Sequence, residues 1–187
     1  MSALLLPTTA ITEAEFLDCY VHEDGIELID GEIVRLPMPG TEHGEICGNA
    51  YHYLREWVKP RKLGRVMTND TFIRIRSAPA RYRGADVCYV SFETLPAEIP
   101  TPKTALQPPI ELVVEVRSPW DSMTELAEKA LEYLDAGVKV VIVLDPETDT
   151  ASVFRPGKPL RRFESADELT LADILPGFSV PVAKFFE

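Results

Sequence analysis

Two acidic residues interrupt apolar, strand-like runs in the middle of this chain, and a lysine follows them. Asp86 begins the run D-V-C-Y-V, Glu115 lies near the end of I-E-L-V-V-E-V, and Lys129 comes fourteen residues after Glu115. A carboxylate in a buried strand is costly to desolvate unless it is paired, hydrogen-bonded or bound to a metal. Magnesium prefers one or two carboxylates, and a lysine can stabilise developing negative charge. These residue types therefore suit metal-assisted hydrolysis of a phosphodiester.

The residue two positions after Glu115 is Arg117, where a minimal E-x-K pattern has its lysine. Arginine stays protonated and does not serve as a base, although it can clamp a phosphate. Lys129 is the candidate to replace it from the following helix. In the competing interpretation, Asp86 is an acid at the start of a strand, Glu115 pairs with an arginine, and Lys129 is solvated.

The strand-like run 110–116 contains two acids, Glu111 and Glu115, of which only one is well placed to face a site. Residues alternate between the two faces of a strand, so Glu111 and Glu115 share one face. At the rise of a strand they lie about 13 Å apart, too far to hold one metal. Glu115 is the better candidate because sites in open α/β sheets collect at the carboxyl ends of strands.

The helix after this strand carries the lysine. Ser122 and Glu125 form a capping box, and the helix ends before Gly137, which suits a left-handed C-terminal position. Lys129 and Tyr133 lie four residues apart on the border of the apolar stripe, so they share one side of the helix. That predicted core stripe consists of Met123, Leu126, Ala127, Ala130, Leu131 and Leu134.

The other patterns predict a sheet with helices on its faces. The run 138–144 is apolar nearly throughout, which is typical of a strand buried on both faces, and the unit 110–144 is expected to be a right-handed crossover. The remaining predicted elements are a helix over 12–22 with a capping box of Thr12 and Glu15, a hairpin over 26–36 turning at Asp30-Gly31, a helix over 42–58, strands at 66, 71–76, 86–91, 151–155 and 161–163, and a proline-rich loop over 96–109. We therefore expect one α/β domain over residues 1–187, with a central mixed sheet flanked by helices and an N-terminal helix and hairpin.

The charge of the chain restricts how it could bind nucleic acid. Its net charge of −11 counts against a broad basic surface, because phosphate neutralisation supplies much of non-specific affinity. Binding would need a divalent metal and a local basic strip, for which the alternative is a solvated basic loop. The candidate strip consists of Lys59, Arg61, Lys62, Arg65, Arg74, Arg76, Arg81 and Arg83.

Composition also bears on location and on the cysteines. No apolar run approaches the roughly 20 residues of a membrane helix, and Leu4–Leu6 is too short for a signal peptide, so we expect a cytoplasmic protein without membrane contact. The three cysteines, Cys19, Cys47 and Cys88, are expected to be reduced and buried. Zinc is a minor alternative, because Cys19-x-x-His22 and Cys47-x4-His52 supply ligand types at spacings that match no closed site.

Seven motifs, taken in order, resemble the Uma2 family, a branch of the PD-(D/E)xK restriction-endonuclease-like fold. The resemblance covers nearly the whole chain and implies a restriction-endonuclease-like core and nuclease activity. It suggests Asp86 as the first acid, Glu115 as the second and Lys129 as a migrated lysine, with Ala85 in place of the usual proline. The motifs are IELIDGEIV (26–34), EHG (42–44), GADVCYVS (84–91), ELVVEVRSP (111–119), EKALEYLDAGV (128–138), VIVLDP (141–146) and LPGFS (175–179).

Two further residues are supporting candidates. His43 begins the second predicted helix, where the family also tends to carry histidine. It is either a buried structural histidine or a contact to a metal-bound water or a phosphate. Glu27 lies in the hairpin motif and is either a third acid of the site or an exposed strand residue.

The prediction from the whole sequence is a metal-dependent endonuclease. Asp86 and Glu115 would hold Mg²⁺ or Mn²⁺, Lys129 would assist the water or the scissile phosphate, and His43 and Glu27 would support them. The substrate would be nucleic acid, DNA in preference to RNA, and a homodimer would suit cutting of both strands. The alternative is a non-catalytic interaction or oligomeric module that keeps the fold, which the net charge of −11 favours and the retained acids and lysine oppose.

Overall fold

One mixed β-sheet carries both predicted acids. The structure, a computed structural model, describes residues 10–187, so the run Leu4–Leu6 lies outside the described residues. The helices are α1 (Glu13–Glu15), which continues into a π-helical turn over Phe16–Tyr20, α2 (Thr41–Val58) and α3 (Met123–Ala136), and a 3₁₀ turn covers Val182–Phe185. The strands are β1 (Ile26–Ile29), β2 (Glu32–Arg35), β3 (Gly64–Ser77), β4 (Ala80–Ser91), β5 (Ile110–Val116), β6 (Val138–Asp145), β7 (Thr150–Phe154), β8 (Arg161–Phe163), β9 (Glu168–Thr170) and β10 (Ser179–Pro181).

The sheet has the order β2-β1-β4-β5-β6-β7-β8, with β3 also paired to β4, and β9 and β10 form a separate ribbon. Strands β5 and β6 pair in parallel around α3, as expected for the crossover, whereas the other neighbouring strands run antiparallel. The predicted α/β fold with a central mixed sheet flanked by helices is confirmed, and the sheet is mostly antiparallel.

Helices cover the two faces of the sheet. On one face, α2 packs Ile46, Ala50 and Leu54 against β4, β5 and β6, together with the C-terminal segment 169–185. On the other face, α3 packs against Val113 of β5 and Val141 of β6. Because β5 and β6 lie between these layers, both strands are buried nearly throughout, which is why they consist of almost continuous apolar runs.

Strands β3 and β4 are longer than the sequence predicts. The two strands predicted at 66 and 71–76 are one strand, β3, with a register shift between Thr68 and Thr71. Strand β4 begins at Ala80, so Asp86 lies inside it and not at its start. Residues 80–85 place arginines between small or aromatic residues, and without an apolar run this segment does not show the pattern of a strand.

The N-terminal helix and α3 also differ in detail from prediction. The capping box of Thr12 and Glu15 is present, but a short α-helix and a π-helical turn replace the single helix over 12–22. In α3, Leu131 is exposed and Tyr133 is fully buried. The buried side of α3 is centred on Ala130, so Tyr133, three residues later, turns toward the sheet. Met123, also predicted as core, is exposed.

The cysteines differ in their surroundings. Cys88 is buried and Cys47 is partly buried, but Cys19 is exposed, so the expectation of three buried thiols is wrong. Exposure follows from the position of Cys19 on the short π-helical turn, whose buried residue is Phe16. Within residues 10–187, none of the helices combines the length and apolar character that a bilayer-spanning segment needs.

Gly64 permits the close approach of β3 to the end of β4. A Cβ at Gly64 would lie 2.1 Å from the carbonyl oxygen of Val90 and 2.8 Å from the Cα of Ser91. We expect Gly64→Ala to lower the free energy of unfolding by about 3 kcal/mol, because backbone held in the ladder cannot move away. Gly48→Ala is the control, since this exposed helical position has no neighbour within 4 Å, and it should gain about 1 kcal/mol. Urea unfolding measures both, and equal effects would contradict the prediction.

Candidate active site

The candidate site lies where β4 changes partners along one edge. Because β3 pairs with β4 from Ala80 to Ser91, β1 and β5 must share the other edge. Strand β1 meets it at Tyr82, and β5 meets it at residues 87–89. Between these contacts lies a gap at residues 83–86 whose main-chain groups are free to bond side chains.

Lys129 fills this gap from α3. Its Nζ lies 2.8 Å from Oε2 of Glu115 and 3.1 Å from Oε1 of Glu27, and it donates to the carbonyl oxygen of Gly84 at 3.2 Å. The lysine side chain is 16% exposed, whereas those of Glu115 and Glu27 are 4% and 2% exposed. One ammonium therefore joins three strands and compensates two buried carboxylates. The interpretation of Lys129 as a solvated residue is wrong.

Tyr133 bonds the other oxygen of the same acid. Its hydroxyl group lies 2.8 Å from Oε1 of Glu115 and 3.2 Å from the carbonyl oxygen of Gly84. The spacing of Lys129 and Tyr133 places both side chains on Glu115, as their shared side of the helix predicts. Each carboxylate oxygen of Glu115 thus has a donor, which orients the side chain within the buried sheet.

Glu27 lies on the β1 side of the gap. It accepts a hydrogen bond from the Gly84 amide at 3.2 Å and pairs with Arg83 Nη1 at 2.5 Å. The alternative that Glu27 is an exposed strand residue is wrong, and the structure brings it to Lys129 with the other predicted residues. Neither the partner Arg83 nor the role of Tyr133 was predicted, although i, i+4 spacing pointed to the latter.

Asp86 lies on the β5 side of the gap. Its Oδ2 accepts a hydrogen bond from the amide of Val116 at 2.7 Å. This carboxylate oxygen therefore replaces the main-chain carbonyl oxygen of β4 that would accept the bond in a continuous ladder. That bond fixes Asp86 next to Glu115, the residue before Val116. Asp86 is thereby bonded to the strand that carries Glu115.

His43 reaches Asp86 from the first turn of α2. Its Nε2 lies 3.4 Å from Oδ2 of Asp86, and its Nδ1 lies 3.5 Å from Sγ of Cys47. Burial opposes protonation, but Asp86, with smaller contributions from Asp70 and Glu115, raises the pKa of His43 above its ordinary value. The imidazole therefore contacts the acid of the candidate site.

Burial and neighbouring charges set the protonation of the cluster. Burial raises the pKa of Glu115 to about 8, with Asp86 and Glu27 adding to the shift and Lys129 opposing it. Burial opposes the charge on Lys129, but the surrounding carboxylates outweigh it and raise the pKa of Lys129 above its ordinary value. Burial also opposes ionisation of Glu27, yet Lys129 and Arg83 hold its pKa below the ordinary value. Lys129 is thus a cation at neutral pH and cannot accept a proton.

Arg117, at the E-x-K position, is bound elsewhere. Its Nη1 lies 3.1 Å from Asp145 and 2.5 Å from Glu147, and its Nε donates to the carbonyl oxygen of Asp121. These bonds hold the guanidinium at the end of β6. The structure therefore brings Lys129, and not Arg117, to Glu115.

The Uma2 family, described as "Putative restriction endonuclease", matches residues 14–183. The chain belongs to the Uma2 family. A crystal structure titled as a putative nuclease belonging to DUF820, from Anabaena variabilis ATCC 29413, matches with a TM-score of 0.81 and 22% identity, over 94% of this chain and 97% of that chain. At that identity the likeness shows a shared fold. No curated protein matches the chain.

One group of potential metal ligands lies at the candidate site of this Uma2 protein. Within the described residues, the ligand atoms of His43, Cys47 and Asp86 lie within 4.8 Å of one another. Burial, with the charge of Asp86 adding to it, raises the pKa of the Cys47 thiol well above its ordinary value, so a metal would have to displace a proton to bind this sulfur. Of the other two donors, the carboxylate of Asp86 is of a type that Mg²⁺ and Mn²⁺ prefer, whereas an imidazole such as that of His43 suits transition metals better.

The two residue pairs that the sequence offers for zinc do not form a site in the part of the chain that the structure describes. Within the described residues, Cys19 and His22 do not occur together in any group of three potential ligands, and neither do Cys47 and His52. The ring of His52 instead packs edge-on against Tyr53, with 5.1 Å between centroids. The ligand types on α2 and those on the π-helical turn therefore do not come together in one site.

Most of the predicted basic strip is already bonded. Arg65 donates to carbonyl oxygens over residues 95–99, and Arg61 stacks on Trp57. Within residues 10–187, only Lys59 and Lys62 of the eight make no side-chain hydrogen bond or ion pair. The other four, Arg74, Arg76, Arg81 and Arg83, pair with Glu13, Asp30, Glu27 and Glu132. The strip therefore does not form a continuous phosphate-binding surface.

We expect the central ion pair to respond asymmetrically to mutation. Lys129→Met leaves Glu115 and Glu27 buried without their ammonium and should cost about 3–5 kcal/mol of unfolding free energy. Glu115→Gln should change that free energy by less than about 1 kcal/mol, or increase it, because Glu27 still balances the lysine. Chemical denaturation at pH 7 measures both. Equal losses in the two variants would contradict the charge assignment.

Proposed function

We propose that this Uma2 protein is a metal-dependent nuclease that hydrolyses phosphodiester bonds, in DNA in preference to RNA. The observation that carries the proposal is the contact of Lys129 with Glu115, 2.8 Å long, at a site where the E-x-K lysine is absent. A lysine that reaches the second acid from the following helix restores the charge arrangement that phosphodiester hydrolysis needs. Membership of a family described as a putative restriction endonuclease supports the same conclusion.

In this proposal Asp86 and Glu115 hold Mg²⁺ or Mn²⁺, which would polarise the phosphoryl oxygen and lower the pKa of a bound water. Lys129 stays protonated, and because its three donors are engaged by Glu115, Glu27 and Gly84, it would assist through its charge, which stabilises the negative charge that develops on the water or the phosphate. His43 orients the carboxylate of Asp86 from the other side. Glu27 keeps the ammonium of Lys129 in place.

Substrate binding would depend strongly on the metal. With most nearby arginines paired to acids and a net charge of −11, few cations remain to neutralise phosphates. A homodimer, which would place one site on each strand of a duplex, is part of the proposal. A non-catalytic module with this fold is the competing function, and its support is the same shortage of free positive charge.

Calorimetric titration of Mn²⁺ is the direct test. The wild-type protein should bind Mn²⁺, and both Glu115→Gln and Asp86→Asn should abolish the heat of binding because each removes a ligand. Glu111→Gln is the matched control. Glu111 is also a buried glutamate of β5, but its carboxylate bonds Ser91, Thr94 and Lys139 outside the site.

The same four proteins are then assayed for cleavage of labelled single-stranded and double-stranded oligonucleotides. Cleavage with Mn²⁺ by the wild type and by Glu111→Gln, and none by the two site variants, is the expected result. Mn²⁺ binding that survives in both site variants would overturn the site. Binding and cleavage that are absent in every protein would favour the non-catalytic module.

The affinity for Mn²⁺ should depend on pH. Since burial raises the pKa of Glu115 to about 8, this group carries a proton at pH 6 that the metal must displace. The association constant should therefore rise about tenfold per pH unit from pH 6 and level off above about pH 8. Titrations at four pH values measure the slope. An affinity that is constant between pH 6 and 8 would contradict the assigned protonation.

A further inference from the structure

A histidine and a cysteine on one side of α2 lie beside Asp86. His43 and Cys47 are four residues apart, so their side chains are neighbours on the surface of the helix. Sγ of Cys47 lies 3.5 Å from Nδ1 of His43, and Nε2 of His43 lies 3.4 Å from Oδ2 of Asp86. Within residues 10–187 they form the one group of three potential metal ligands whose ligand atoms all lie within 4.8 Å of one another. Sulfur, nitrogen and oxygen ligands from α2 and β4 therefore converge at one place.

The separation of the sulfur and the nitrogen is that of two ligands on one tetrahedral ion. A zinc–sulfur bond of about 2.3 Å and a zinc–nitrogen bond of about 2.0 Å, at the tetrahedral angle, place the two ligand atoms about 3.5 Å apart. Sγ of Cys47 and Nδ1 of His43 already lie at this distance. With Asp86 the site has three protein ligands, and its fourth position is left for a water or another ligand.

Hydrogen bonds and burial fix these ligands and still leave room for an ion. Oδ2 of Asp86 accepts a bond from the amide of Val116 at 2.7 Å, whereas Oδ1 accepts none from the residues that the structure describes. The side chains of His43 and Asp86 are 12% and 11% exposed, and Cys47 is partly buried. The group is thus shielded but accessible from solvent, and one oriented carboxylate oxygen is free to bind a cation.

The charge around the thiol favours a bound cation over a reactive thiolate. Burial, followed by the charges of three nearby acids, raises the pKa of the Cys47 thiol above its ordinary value. These acids are Asp86, Asp70 and Glu115. A thiol that stays protonated is a poor nucleophile, so covalent catalysis by a Cys-His-Asp arrangement does not fit. A divalent cation offsets the negative charges, and the S–H proton passes to solvent as the metal–sulfur bond forms.

We propose that His43, Cys47 and Asp86 form a binding site for a transition-metal cation that accepts sulfur and nitrogen ligands, such as Zn²⁺ or Co²⁺. Thiolate and imidazole ligands select these ions over Mg²⁺. The partner of Cys47 is His43, on the preceding turn of α2, and not His52. Asp86 is shared with the proposed Mn²⁺ site, but Glu115 is not a ligand here, so the inference does not depend on nuclease activity.

Titration with Co²⁺ is the test, because the spectrum of this ion reports its ligands. A thiolate bound to Co²⁺ gives an intense sulfur-to-metal charge-transfer band in the near ultraviolet, and tetrahedral coordination gives strong bands in the visible region. The wild-type protein should show both, and Zn²⁺ should remove them by displacing Co²⁺. The same distances within the group also fit a chain of two hydrogen bonds, which would produce neither signal.

Substitution of each ligand on α2 identifies the site. Cys47→Ser should remove the charge-transfer band, and His43→Gln should lower the association constant for Co²⁺ about tenfold or more. Cys19→Ser is the matched control, because it removes an exposed thiol on the π-helical turn by the same change. It should keep the wild-type spectrum.

The outcomes separate this inference from the proposed function. Co²⁺ binding without a charge-transfer band, a band that persists in Cys47→Ser, or no binding of Co²⁺ overturns the site. If the band is absent while Mn²⁺ binds and depends on Glu115, this inference alone fails. If the band is present and depends on Cys47 while Mn²⁺ does not bind, the proposed function alone fails.

Discussion

The buried ammonium of Lys129 is the interaction on which the rest of the candidate site depends. Two glutamates from different strands, Glu27 and Glu115, point into the same buried space, where an unpaired carboxylate is costly. Lys129 bonds both of them and the carbonyl oxygen of Gly84. The charge of the lysine is in turn stabilised by the acids, which raise its pKa. The cluster is therefore stable as a unit, and each member is costly only when another is removed.

The backbone provides the space for this cluster through the edge of β4. A strand that kept one neighbour along its full length would pair its amides and carbonyls with backbone, and no side chain could bond them. Here β1 ends before β5 begins, so Gly84 bonds Glu27, Lys129 and Tyr133, while Asp86 bonds the amide of β5. The change of partner thus gathers side chains from two strands and a helix around four residues of β4. The register shift of β3 between Thr68 and Thr71 lies on the opposite edge at the same place.

The distribution of charge explains how an acidic protein can carry arginines close to this site. Arg81 and Arg83 bond Asp30, Glu27 and Glu132, and so they join the N-terminal hairpin to α3. Their role is to hold the layers together around the gap. Positive charge that is used in this way is not available for phosphates.

The strand–helix–strand unit and the capping boxes of α1 and α3 can be predicted from the amino-acid sequence, as can the candidate acids Asp86 and Glu115 with Lys129. These features depend on residues close together in the chain, whose periodicity and hydrogen-bonding types are local. The burial of Glu27 beside Lys129, the contact of His43 with Asp86 and the binding of Arg117 elsewhere are visible only in the folded structure. The predicted length of β4 was also too short, because arginines alternate through its first residues. The charges of these arginines are compensated by acids that are distant in the sequence. Such pairings depend on which strands become neighbours, and no pattern within one segment records that choice.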